Sequence, residues 1–165
     1  PIETNDEGKE NLFAGRCDVY TTDASGLSST RAAAANPDKW VVLPEIISKE
    51  PLGPLVRHGD HQWGDVVRWS LNAMIIAEEL GVTSENVDAQ KSSNVPEVLR
   101  LLGVEGSYGE MLELAPDWAY QIIKQIGNYS ESYEANVGPD TPLEIARGLN
   151  ALWTQGGILY APPFR

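Results

Sequence analysis

The sequence predicts an α/β protein in which a few short strands occupy the first third and a mostly helical part follows. Three observations carry this reading. Residues 17–22 hold the β-branched and aromatic run Val19-Tyr20-Thr21-Thr22, entered through a Gly15-Arg16 turn and closed by Asp23, a strand that runs into a helix. Trp40-Val41-Val42-Leu43 and residues 52–57 read as two further short strands. Residues 62–80 place Trp63, Val66, Val67, Leu71, Met74 and Ile75 at helical spacing. The chain's 165 residues suffice for one domain of ordinary size.

The elements follow in order. After Asp23, a Ser25-Gly26 start opens an alanine-rich helix over residues 27–35. Asn36-Pro37 stops it, because proline lacks a helical N–H and restrains the residue before it. Pro44 ends the second strand, and Pro51, Gly53 and Pro54 make residues 45–54 an extended linker. A crossing strand over 52–57 comes next. Asp60 caps the long helix over 62–80, Gly81 supplies its left-handed stop, and Trp69, Ile76 and Leu80 add apolar surface on another side. That helix is expected to be buried on more than one face.

Further on, Asn94 starts a helix to Leu102, ended by Gly103, and Ser107-x-x-Glu110 has capping-box spacing ahead of Met111 and Leu112. Pro116 serves as a first-turn residue for a helix over 118–126 that Gly127 closes. Thr141-Pro142-Leu143-Glu144 combines a capping box with a first-position proline and predicts a helix toward Trp153, ended by Gly156-Gly157. Residues 158–165, with Pro162-Pro163, read as extended. No internal repeat is present.

So few strands leave sheet edges and faces unsatisfied, and buried unpaired backbone groups are costly. Further structure is expected to complete them, either an upstream half of the protein or a second copy exchanging strands.

Composition bounds the function. Twelve basic against 24 acidic residues give a formal net charge of −12. That balance disfavours nucleic acid and anionic membrane surfaces, which both require basic patches, and favours solubility. No apolar run approaches the roughly 18 residues of a membrane-spanning helix. The sequence opens at Pro1 without methionine and shows no signal peptide, which suggests a processed or cropped piece. The single cysteine, Cys17, is read as an apolar filler of its strand or as half of a disulfide with a partner outside the sequence; no histidine lies near to activate it.

The principal candidate site residue is Asp23. A carboxylate where a strand passes into a helix is well placed to grip a cation, since ligands of open α/β sheets bind beyond the strand ends. It is equally a preferred helix cap. Thr22 beside it offers a hydroxyl or backbone contact.

The run Ala14-Gly15-Arg16-Cys17-Asp18-Val19-Tyr20-Thr21-Thr22-Asp23-Ala24-Ser25-Gly26-Leu27 resembles the G-R-x-D-x-x-x-x-D segment of type II periplasmic amino-acid-binding proteins of ABC transporters. The segments VVLPEIISKEPLGPLVRHGDHQW and ARGLNALWTQGGILYAPPFR are similar to the branch that binds L-amino acids broadly, and the likeness extends from about Phe13 to Arg165. The resemblance implies the C-terminal portion of an incomplete periplasmic-binding-protein-like fold. Residues 1–47 would be a remnant of lobe two, 48–57 the hinge or crossover, and 58–165 a lobe-one segment with a helical C-terminal extension. It implies that Asp23 holds a ligand's α-ammonium and that Asp18 is structural. It places the carboxylate-binding arginine upstream of Pro1, and leaves the preferred side chain open. It further implies a periplasmic location, a possible disulfide at Cys17 with an upstream cysteine, free L-amino acids and an inner-membrane ABC permease as partners, no cofactor and no enzymatic reaction.

Other constellations read as structural. His58-Gly59-Asp60-His61 has two histidines where metal sites need three or four ligands. Glu78-Glu79 reads as a solvated face. Asn128-Tyr129-Ser130 fits a glycosylation sequon but reads as chance, with Ser130 as a cap. Trp118, Tyr120, Tyr129 and Tyr133 read as helix-packing aromatics rather than a platform. The alternatives to ligand capture are a helical partner-docking module over 84–165 and a metal-dependent enzyme using His58 and His61.

Overall fold

Helices form where caps and apolar spacing coincide, and the expected strands do not pair. The computed structural model describes residues 2–49 and 51–164. Its first helix, α1 (Asn5–Phe13), was not anticipated; Thr4 caps it by accepting from the Glu7 N–H at 3.2 Å. Gly8 within α1 leaves room for the Tyr20 ring, which would lie 2.8 Å from an added Cβ. The Gly15-Arg16 turn is the helix's C-terminal cap: Gly15 has φ +68°, and the Arg16 N–H bonds the Asn11 carbonyl at 2.9 Å. The segment then runs to Asp23 with no ladder partner and enters α2 (Ala24–Ala32). This helix begins three residues earlier than expected, immediately after its cap, and ends well before Pro37.

The expected strands at 17–22, 40–43 and 52–57 form no sheet among the described residues; one parallel bridge, Leu152 to Leu159, is the β-pairing they contain. The apolar runs are in place, but a strand is stable only when its N–H and C=O groups meet another strand. Glu50, in the expected crossover, and Pro1 and Arg165, at the ends of the expected lobes, lie outside the described residues.

The helices expected at 62–80, 94–102 and 118–126 form close to those positions. In α3 (His61–Glu79), Asp60 accepts from the Trp63 N–H at 3.1 Å, and Gly81 has φ +69°. Then follow α4 (Val87–Gln90), α5 (Pro96–Leu101), α6 (Tyr108–Met111), α7 (Trp118–Ile126) and α8 (Tyr129–Asn136). α3 packs against α5, α7 and α8, and α4 against α7. The core gathers Ala73, Ile75, Ile76 and Ala77 of α3 with Val82, Val87, Leu101, Leu102, Ala119 and Ile123. Each large aliphatic side chain buried there contributes roughly 1.5–3 kcal/mol. α3 is buried mainly in its second half; Trp63 and Leu71 of the expected apolar face remain 55% and 36% exposed.

The chain's end closes this core. Phe164 sits among Trp69, Trp118 and Tyr108 with ring centroids 5.2, 6.0 and 5.6 Å away, and Arg100 Nε donates to its carbonyl at 3.1 Å. Gly103, ending α5, has φ +71° and would place a Cβ 1.9 Å from the Pro116 carbonyl oxygen, so no other residue fits there.

Several local expectations are corrected. α5 starts at Pro96 rather than Asn94, because proline is suited to the first helical position. Ser107 makes no capping hydrogen bond. Asn128, not Ser130, caps α8, in a reciprocal box with Glu131, and Asn128 is 4% exposed with Nδ2 donating to the Val82 carbonyl. The amide of the sequon is thus consumed inside the protein. The helix expected from Thr141 does not form: the Thr141 hydroxyl accepts from the Leu143 N–H within a turn, Glu144 adopts φ +52°, and the following residues reach only a 3₁₀ turn at Gly148–Asn150. A hydroxyl that bonds its own turn competes with helix continuation.

Candidate functional site

Asp23 stands at the N-terminus of α2 with extended backbone, φ −61° and ψ 155°. Its Oδ1 accepts from the Gly26 N–H at 2.6 Å and from the Ser25 hydroxyl at 2.8 Å. The Gly26 N–H, and after it the Ser25 hydroxyl, holds the carboxyl below the ordinary aspartate value, while partial burial opposes them more weakly. The cap favours the ionised form of the carboxylate and orients it. Asp23 remains half-buried, and the described ion pairs do not include it. What stands at the helix start is a pre-oriented anion with no ion-pair partner among the described residues.

Two neighbours shape it. Gly26 is required for close approach: a Cβ there would lie 3.0 Å from Asp23 Oδ1 and 3.0 Å from Thr22 Cγ2. Thr22 is half-buried, its methyl facing Gly26 and its hydroxyl adding weakly to the hold on the Asp23 carboxylate. Ser25 and Gly26 were legible as a helix start, but not as the groups that orient the acid. Their signal is the Asp-x-Ser-Gly spacing, in which both donors fall within reach of one oxygen.

The remaining candidates are scattered. Cys17 is a free, half-buried thiol, and Asp18 is exposed. His58 and His61 are exposed near the start of α3, and no group of three or more His, Cys, Asp or Glu gathers a metal-binding set among the described residues. No described helix is long and apolar enough to cross a membrane.

Of the Glu78-Glu79 pair, Glu79 is exposed as expected, but Glu78 is not solvated. The Glu78 side chain is 9% exposed and accepts from Arg147 Nη2 at 3.0 Å, with the Arg147 side chain 16% exposed. Arg147 also lies over the Tyr129 and Tyr133 rings, 5.4 and 5.3 Å from their centroids. Glu79 accepts from the Trp153 indole at 3.1 Å. Arg147, distant in sequence, thus neutralises and covers Glu78, while Glu79 stays exposed. The aromatic residues do pack as expected, with Trp118 in the core and the Tyr120 hydroxyl donating to Asp88 at 2.7 Å.

A scan against protein-family models finds no match. Comparison with curated proteins does find relatives. The chain is 55% identical over 165 residues to the glutamate/glutamine/aspartate/asparagine-binding protein BztA of Rhodobacter capsulatus, covering 99% of this chain and 49% of that protein. It is 58% identical to the general L-amino acid-binding periplasmic protein AapJ of Rhizobium johnstonii, covering 92% of this chain and 45% of that protein. A putative amino-acid ABC transporter-binding protein of Escherichia coli is 54% identical over 99% of this chain and 48% of its own length. Among solved structures, an ABC transporter periplasmic binding protein from Brucella ovis with glutathione bound matches with TM-score 0.92 and 52% identity, over 99% of this chain and 51% of that one. These proteins are named for binding and transport rather than for a reaction. The chain spans about half the length of the curated relatives it matches, and over nearly all its own residues it is similar to that portion of periplasmic amino-acid-binding proteins of ABC transporters.

Proposed function

We propose that the chain is part of a periplasmic solute-binding component of an ABC importer, one that captures free L-amino acids between two lobes and delivers them to a membrane permease. The observation that carries this is Asp23 at the start of α2, held ionised by the Gly26 N–H and the Ser25 hydroxyl and in no ion pair among the described residues. A receptor for many amino acids must grip the groups all of them share, an α-ammonium and an α-carboxylate. A fixed carboxylate suits the first, and a charge-assisted hydrogen bond to it is worth roughly 1.5–3 kcal/mol. Thr22 supplies the wall beside it. Glutathione, the ligand of the Brucella ovis neighbour, also presents an α-ammonium beside an α-carboxylate.

In this reading residues 1–47 are a remnant of lobe two, 48–57 the crossover and 58–165 a segment of lobe one with its helical extension. The burial pattern supports that division, since every buried hydrophobic residue described lies between Ala73 and Phe164. The unpaired runs at 17–22, 40–43 and 52–57 would take their ladder partners from the remaining half of the protein. Cys17 would find a disulfide partner only there. The relatives' names support a binding module rather than an enzyme.

Asp23→Asn in the full-length protein tests the site, because asparagine caps a helix as well as aspartate and removes only the charge. Calorimetric titration with a panel of L-amino acids should show at least a tenfold loss of affinity for all of them, with thermal stability nearly unchanged. Wild-type affinity in this variant would take Asp23 out of the site.

A further inference from the structure

α2 carries Asp23 at one end and Arg31 in its last turn, about 12 Å apart along a rigid helix. Arg31 Nη2 donates to Glu144 Oε2 at 2.6 Å, and among the described residues this is the ion pair that joins the region before residue 58 to the helical region after it. The contact around it is loose. Arg31, Ala32, Pro37, Asp38 and Trp40 on one side and Pro142 and Glu144 on the other line a cavity of about 410 Å³. Arg31 Nε is buried with no hydrogen-bond partner among the described residues, and Glu144 is held at φ +52°, outside the backbone region most residues prefer.

We propose that the Arg31–Glu144 pair is a latch that favours the closed arrangement of the two lobes and so sets the affinity for every amino acid bound at Asp23. The proposal rests on the reading of the chain as a two-lobed amino-acid receptor. Three features suit a contact that makes and breaks: an attractive charge pair, a poorly filled cavity behind it, and an orphaned N–H and strained backbone that separation would relieve. The arrangement that makes the pair is also the one shared, at TM-score 0.92 over 99% of the chain, with a ligand-bound neighbour. A ligand shifts an open–closed equilibrium by its differential affinity, and a contact made only in the closed state adds to that shift whichever ligand is present. The latch touches no ligand, so it scales all affinities alike and leaves selectivity unaltered.

The test uses the full-length protein. Arg31→Gln and Glu144→Gln should each lower calorimetric affinity about twofold to fivefold, by one common factor across glutamate, glutamine, leucine and alanine, as expected of a pair that is partly exposed. The double exchange R31E with E144R should restore most of the loss, and donor–acceptor fluorescence labels on the two lobes should report less closure at subsaturating ligand in the single variants only. Circular dichroism verifies folding of each variant. Raising salt from low to about 0.5 M should weaken wild-type binding more than that of Glu144→Gln, which provides an answer even if the Arg31 variant folds poorly. Unchanged affinities in a protein whose Asp23→Asn variant has lost binding would overturn the latch alone. Losses that the exchange fails to restore, or that differ between amino acids, would overturn it as well. Retained binding by Asp23→Asn would instead remove the proposed site.

Discussion

The regions before and after residue 58 use apolar side chains in opposite ways. In the helical part, Leu101, Leu102 and Ile123 are at most 1% exposed, whereas Leu55, Ile47 and Val41 in the first part are 99%, 82% and 79% exposed. Both regions are comparably apolar in local sequence, so composition does not separate them. What separates them is where the partners lie. Helices satisfy their own backbone and need only a facing stripe, which α3, α5, α7 and α8 provide for one another. Strand-like runs need neighbours for both backbone and side chains, and among the described residues they have no ladder partner. The first part is held by small local contacts: Gly8 against Tyr20, the Phe13 and Trp40 rings 5.2 Å apart, and the cap of α2.

The contrast can be broken by mutation. Ile123→Ala should cost most, about 3–5 kcal/mol in chemical denaturation, because it empties a fully closed site. Arg147→Met should follow at about 3 kcal/mol, since it strands the covered Glu78 carboxylate without its cation. Gly103→Ala should cost at least about 1–2 kcal/mol for the left-handed backbone alone, before the clash with the Pro116 carbonyl. In the first part, Asp23→Ala should destabilise by only about 1 kcal/mol through loss of the cap, and Leu55→Ala by less than about 0.5 kcal/mol in the isolated chain. A cost above 2 kcal/mol for Leu55→Ala in the full-length protein would sharpen the comparison, locating the cover for this surface in the other half.

The pH dependence has a definite sign. Asp23's carboxyl is depressed in the folded state by the Gly26 N–H and then the Ser25 hydroxyl, so its cap stabilises above the ordinary aspartate range and is lost as pH falls through the lower folded value. Acid titration of wild type against Asp23→Ala should therefore show a gap in stability that narrows below about pH 4. A gap that widens there would mean the acid is not the cap's acceptor.

Much of this was written locally. The cap at Asp60, the stop at Gly81, the helix over 118–126 and Asp23 at the start of α2 were legible because each depends on residues three or four apart. So was the likeness to periplasmic amino-acid-binding proteins, from motifs ordered along the chain. Other features depended on distant groups. Thr141 to Glu144 has the letters of a helix start, yet the Thr141 hydroxyl spends itself within the turn and Glu144 meets Arg31, 113 residues away in sequence. Glu78 looked solvated until Arg147 reached it from across the fold.

The sequence by itself determined the helices with their caps, the identity of the acid at the head of α2 and the kinship with amino-acid receptors, because short-range hydrogen bonds and apolar spacing suffice for these. Only the tertiary structure decided that the β-branched runs find no ladder partner among the described residues, that Glu78 is covered, and that Arg31 and Glu144 meet. Pairing, burial and charge neutralisation are set by which distant groups come together, and no local pattern encodes that.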